Sequence, residues 1–199
     1  MTGRSVKPER LPFTGEEEAD RLLAADPLAL LIGFALDQQV SVPKAFSGPA
    51  ELRRRIGHLD PGRIAAMDPA ELDRLFRQRP ALHRFPGAMA ERVQALCAYV
   101  AREFGGDAAR VWSEAIDGSD LRARLLAVPS IGEMKAGTIL AILAKRFHLV
   151  LPGLDEVLPK HPTLGDVDSA ESLAVYQAQK RAHKAAMRAA GPHVKEERR

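Results

Sequence analysis

One cysteine and 5% aromatic residues in a chain of 199 leave several chemistries out. With Cys97 alone there can be no disulfide framework, no four-cysteine zinc site and no cysteine-held iron–sulfur cluster. His148 and His161 stand apart, without metal-ligand spacing, so neither a metal nor another cofactor is expected. No apolar run reaches the roughly 18 residues of a membrane span, and no membrane association is expected. Arg4, Lys7 and Arg10 have no apolar stretch behind them, so a secretory signal is not expected and the cytoplasm is the expected location. Strand-like alternation never persists, which leaves an all-α chain.

The helix signals are abundant. Three acids from Glu16 open a helix that Pro27 closes at about Ala25. A second helix, Leu28 to about Gln39, is apolar on nearly every face and belongs at the centre of a core. Short helices are predicted over Val42–Phe46 and Pro49–Gly57, divided at the proline. Asp60-Pro61 and Asp68-Pro69 each pair an N-cap acid with a proline in the first turn. Gly87–Glu103 follows, and then two helices capped by Asp107 and Ser119. After an irregular, proline-rich stretch a last helix runs from Asp168 or Ser169 to about Ala190. Residues 1–15, with Pro8, Pro12, Gly3 and Gly15 and no periodicity, read as a disordered N-terminal segment. A helical domain of roughly ten helices then occupies residues 16–165, and a C-terminal helix with a basic tail occupies 166–199. Trp112 reads as a core residue.

Between the predicted helices around Leu126 and Glu133 lies Val128-Pro129-Ser130-Ile131-Gly132, the layout of a helix-hairpin-helix. Pro129 breaks the first helix, and Gly132 is expected to supply the positive φ of the reversal. The turn's N–H groups and those opening the next helix lack intrahelical partners, which suits them to a DNA phosphate. Net charge gives this only modest support. From residue 180 onward there are seven Lys or Arg against two Glu, which leaves the rest of the chain slightly acidic. That tail reads either as a solvated helix end or as an arm along a phosphate backbone.

Leu30-Leu31-Ile32-Gly33-Phe34-Ala35-Leu36-Asp37-Gln38-Gln39-Val40-Ser41-Val42, Phe85-Pro86-Gly87 with Ala90-Glu91-Arg92, and the hairpin about 90 residues after the glutamine pair together resemble one family. It is the helix-hairpin-helix DNA glycosylases of base-excision repair, most of all a bacterial branch without the iron–sulfur cluster. The resemblance spans roughly residues 24–158. It implies a bundle with a cleft between two helical lobes, acting as a monomer on damaged double-stranded DNA. The enzyme would flip a nucleotide out of the duplex and hydrolyse its N-glycosidic bond.

The resemblance also assigns residues. The essential carboxylate falls on Asp155, 21 residues after Met134, with Glu156 second. Its charge would offset the cation that grows on the deoxyribose as the bond breaks. Members that also cut the backbone carry a Schiff-base lysine where Met134 stands. Lys135 is one residue later and about 100° round the helix, so a monofunctional hydrolase acting on alkylated or deaminated bases is expected. DNA contacts are expected from Gln38, Gln39, Lys44, Arg84, Phe85, Ser130, Ile131, Gly132, Met134 and Lys135. Of the two glutamines Gln39 is the better placed to reach an opened base stack, and Phe85 is a possible wedge. The alternative is a non-catalytic protein that binds DNA structure on the same scaffold.

Overall fold

The computed structural model describes residues 7–189 and is all-helical, with eleven α-helices and no strand among those residues. The helices are α1 (Glu17–Ala25), α2 (Pro27–Leu36), α3 (Val42–Ile56), α4 (Pro61–Ala65), α5 (Pro69–Arg77) and α6 (Pro86–Phe104), then α7 (Arg110–Ser113), α8 (Gly118–Ala127), α9 (Glu133–Lys145), α10 (Leu154–Val157) and α11 (Ala170–Ala189). A 3-10 turn, Leu164–Asp166, precedes the last helix. None of the described helices is long and apolar enough to cross a membrane.

Local signals explain most of the starts. Asp26, Asp60 and Asp68 each accept backbone N–H bonds from the helix they precede, with proline in the first turn. Asp117, not Ser119, caps α8, because its carboxylate reaches the N–H of Asp120 at 2.8 Å. Asp107 accepts from Ala109 at 2.9 Å, just ahead of α7.

Two expectations fail for tertiary reasons. The helix expected to break at Pro49 is continuous from Val42 to Ile56, with the proline inside it. Packing on α2 overrides the lost backbone bond: Phe46 sits over Gly33, and Leu36 closes on Gly48. Residues 7–15 are likewise not disordered. Leu11 and Phe13 are fully buried, and Asp20 ties the segment down by accepting from the N–H groups of Phe13 (3.1 Å) and Thr14 (2.8 Å). Residues 1–6 and 190–199, including the end of the basic tail with Lys195, Arg198 and Arg199, lie outside the described residues.

The extensive helix pairings fall into two groups, α1–α6 and α7–α11. Within the first, α2 is buried along its whole length between α1, α3 and α6. Within the second, α9 packs on α8, α10 and the 3-10 turn. One apolar core joins both groups and includes Trp112, Val167 and Leu173, so packing runs across the expected 165/166 boundary. Cys97 is part of that core, and burial pushes its thiol up to about 12.

Candidate functional site

The α8–α9 turn forms because Pro129 holds Val128 extended (φ −69°, ψ 126°), which stops α8 at Ala127. Ile131 then turns into the core, its N–H donating to the Val128 carbonyl at 3.1 Å. The positive φ falls on Ser130, at 71°, and not on Gly132, which is an extended N-cap (φ −98°, ψ −177°). A non-glycine residue there carries about 1 kcal/mol or more of backbone strain. Ser130→Gly should therefore raise the unfolding free energy by about 1 kcal/mol, read from the urea midpoint. No gain would mean that the hydroxyl compensates for the strain.

Gly132 has no side chain with which to cap α9. Among the described residues the N–H groups of Gly132, Glu133, Met134 and Lys135 have no acceptor, and the first three of these residues are exposed. Glu133 adds a carboxylate beside them, paired with Arg122 at 2.6 Å. The next two side chains diverge. Met134 is 76% exposed and, with His161, Pro162, Tyr176, Gln179 and Lys180, lines a groove of about 490 Å³ between the hairpin tip and α11. Lys135 is half-buried and donates to the Ser130 carbonyl at 3.2 Å. Burial pushes its ammonium below the usual lysine range and Arg92 adds to this, while Asp37 opposes it.

A second loop follows α2. Gln38 N–H bonds back to the Leu36 carbonyl at 2.7 Å, and Asp37 between them (φ −72°, ψ 74°) forms an inverse γ-turn. Gln39 is then left-handed, with φ 57°. The Gln38 amide oxygen accepts from the Arg92 guanidinium, and its backbone carbonyl lies 3.0 Å from His83 Nε2. His83 Nδ1 accepts from the Phe85 N–H at 3.0 Å, so the ring is neutral and donates through Nε2. Burial lowers its pKa, with Lys44 and Arg84 contributing. Gln38 is thus occupied on both oxygens, and Gln39 is exposed.

The remaining expected contacts divide. Arg84 stacks on the half-exposed Phe85 ring, 4.7 Å from its centroid, which gives a cation and an aromatic surface side by side. Lys44 donates to the Ala81 carbonyl at 2.7 Å and so pins the middle of the α5–α6 loop. Asp155 and Glu156 are exposed in the first turn of α10, and their carboxylates take no hydrogen bond or ion pair among the described residues. Leu154 beside them is pressed on Gly118, at the end of α8 away from the hairpin turn, and α8's ten residues span about 15 Å.

The charges of Asp37 and Arg92 act on the Lys135 ammonium in opposite senses, and burial, with Asp37 and Asp166 adding, pushes the Tyr176 phenol up. None of Asp37, Arg92 and Tyr176 was singled out in the sequence as a site residue. Asp37 had a readable signal, an acid at the end of a wholly apolar helix, where the helix dipole disfavours it. Among the described residues no three His, Cys, Asp or Glu side chains are grouped as a metal site. Comparison with protein-family models gave no match, and none of the curated proteins matched the sequence.

Proposed function

We propose that this protein is a monofunctional base-excision DNA glycosylase that hydrolyses the N-glycosidic bond of an extruded alkylated or deaminated base. The observation that carries the reading is the row of acceptor-free N–H groups from Gly132 to Lys135. It lies next to the groove lined by Met134 and Tyr176. N–H groups arranged in this way hold a phosphate, and the adjoining groove is large enough for a nucleobase. Phe85 and Arg84 on their loop supply the wedge and the second phosphate contact. With Met134 at the hairpin position and the Lys135 ammonium bonded to Ser130, the hairpin itself presents no free amine for strand cleavage. The protein acts as a cytoplasmic monomer on damaged duplex DNA, without a cofactor.

One observation favours a second reading, a non-catalytic protein that recognises DNA structure. Asp155 and Glu156, the carboxylates that the sequence points to, are exposed and unheld. A panel of duplexes, each with one alkylated or deaminated base, separates the two. Abasic-site formation on at least one duplex, with no borohydride-trapped protein–DNA adduct, is the expected result. Duplex binding that weakens steeply with salt, but with no base released from any lesion, would establish the second reading. A trapped adduct would overturn the monofunctional assignment.

A further inference from the structure

One partly buried guanidinium in this fold has no partner. Arg53, Arg55, Arg92, Arg110 and Arg124 are partly buried, and each is held, by Glu18, Glu51, Gln38, Glu114 and Asp120 in turn. Arg146, at the end of α9, is partly buried too, yet its guanidinium makes no hydrogen bond or ion pair among the described residues. Its Nε is the one buried side-chain nitrogen or oxygen without a partner among them. A desolvated, unsatisfied donor on a permanent cation is costly and calls for an acceptor.

Arg146 lines a cavity of about 330 Å³ on which Arg10, Lys145 and His148 also converge. Separate segments build it. α9 ends at Lys145, and a 2.9 Å bond from the Leu149 N–H to the Leu143 carbonyl closes that end, with His148 left-handed at φ 51°. Arg10 is set beside it by the N-terminal segment, whose buried Leu11 donates its N–H to the Asp20 carbonyl at 2.9 Å. Two acids, Glu9 and Asp168, line the cavity as well. Glu9 is paired with Arg21 at 3.5 Å and Lys145 with Asp166 at 2.5 Å, so these charges are already met. Arg10 and Arg146 remain against Asp168, whose carboxylate accepts from the Ser172 hydroxyl at 3.0 Å. The end of α9 adds about half a negative charge. The balance stays positive, and neither guanidinium has an acid paired with it among the described residues.

We propose that this cavity is a binding site for a phosphate group, at the opposite end of α9 from the hairpin. The thirteen residues of α9 span about 20 Å, so the site is distinct from the N–H groups at Gly132–Lys135. A guanidinium fork grips two phosphate oxygens at once, and a tetrahedral oxyanion meets donors from several sides as a planar carboxylate does not. Lys145 also lines a groove along α11, which shares His161, Pro162 and Tyr176 with the Met134 groove. The phosphate therefore belongs either to a DNA backbone lying along that groove or to a small phosphorylated molecule. The site itself does not depend on the glycosylase reading.

The test titrates wild type, Arg10→Met, Arg146→Met and Arg63→Met with inorganic phosphate at constant ionic strength, by calorimetry, and measures duplex binding across a range of salt. Arg63 is an exposed arginine of α4 outside the cavity. Wild type and Arg63→Met should bind phosphate saturably, and the two cavity variants at least about tenfold more weakly. Arg10 is exposed, so Arg10→Met decides the matter should Arg146→Met fold poorly. Weaker duplex binding in the cavity variants, with a salt slope shallower by about one, would identify a DNA backbone as the source. Weakened phosphate binding with unchanged duplex binding would identify a small phosphorylated ligand. Cavity variants that treat both phosphate and duplex as wild type does would overturn the site. So would an equal loss in Arg63→Met, which marks a general effect of charge. Absence of base release would remove the glycosylase reading and leave the site standing.

Discussion

Phe46→Ala is expected to lower the free energy of unfolding by about 3–5 kcal/mol. The ring lies edge-on to Phe13 (centroids 5.3 Å apart) and Phe34 (5.0 Å), and it covers Gly33 so closely that a Cβ there would meet it at 2.6 Å. Truncation removes buried area, two aromatic contacts of about 0.5–1.5 kcal/mol each, and leaves a cavity that α2 and α3 are too tightly crossed to close. Because Phe13 comes from the N-terminal segment, that segment should loosen as well. Urea denaturation would show a lower midpoint with an unchanged slope, and Phe46→Leu should cost less than about 1.5 kcal/mol. Equal losses in the two variants would mean that ring volume and contacts are not what the site requires.

Gly165→Ala should destabilise by about 1–3 kcal/mol through overpacking. A Cβ at Gly165 would stand 2.6 Å from both the carbonyl carbon and the oxygen of Ala141, backbone atoms of α9 that cannot give way. The 3-10 turn would have to lift off α9, straining the Lys145–Asp166 ion pair (2.5 Å) and moving the start of α11 with it. Tyr176 would move away from Met134, so base release should fall even where the protein remains folded. Gly62→Ala is the control. Its Cβ meets nothing nearer than Asp60 Oδ1 at 3.4 Å, so it should be neutral or slightly stabilising. If the two alanines behave alike, close backbone approach is not the constraint at Gly165.

These sites also mark how far the sequence could be read. The helix starts at Asp60 and Asp68 were legible because cap and proline act within a few residues of each other. The unbroken α3 was not, since what carries it past Pro49 is contact with Gly33 and Leu36 on another helix. Leu11 and Phe13 were missed for a similar reason: an irregular segment leaves no periodic trace when only two of its side chains are buried. At the hairpin, Pro129 and Ile131 fixed the turn, but the strained residue proved to be Ser130, because Gly132 is used to open α9. The place of the expected carboxylates was the least legible. Asp155 was chosen by its register after the hairpin. In the folded chain Asp155 and Glu156 lie on α10, which is pressed on the end of α8 away from the hairpin turn.

The divergence of Met134 and Lys135 has an evolutionary side. On the proposed reading, an amine at the tip of the hairpin separates backbone-cutting enzymes from those that stop at an abasic site. Here Met134 occupies that place and points into the groove beside Tyr176, while the neighbouring lysine is turned inward to hold the turn. Methionine and one of the lysine codons differ by a single nucleotide. The inward lysine already secures the loop, so a mutation at the adjacent codon could introduce the amine without dismantling the scaffold that carries it.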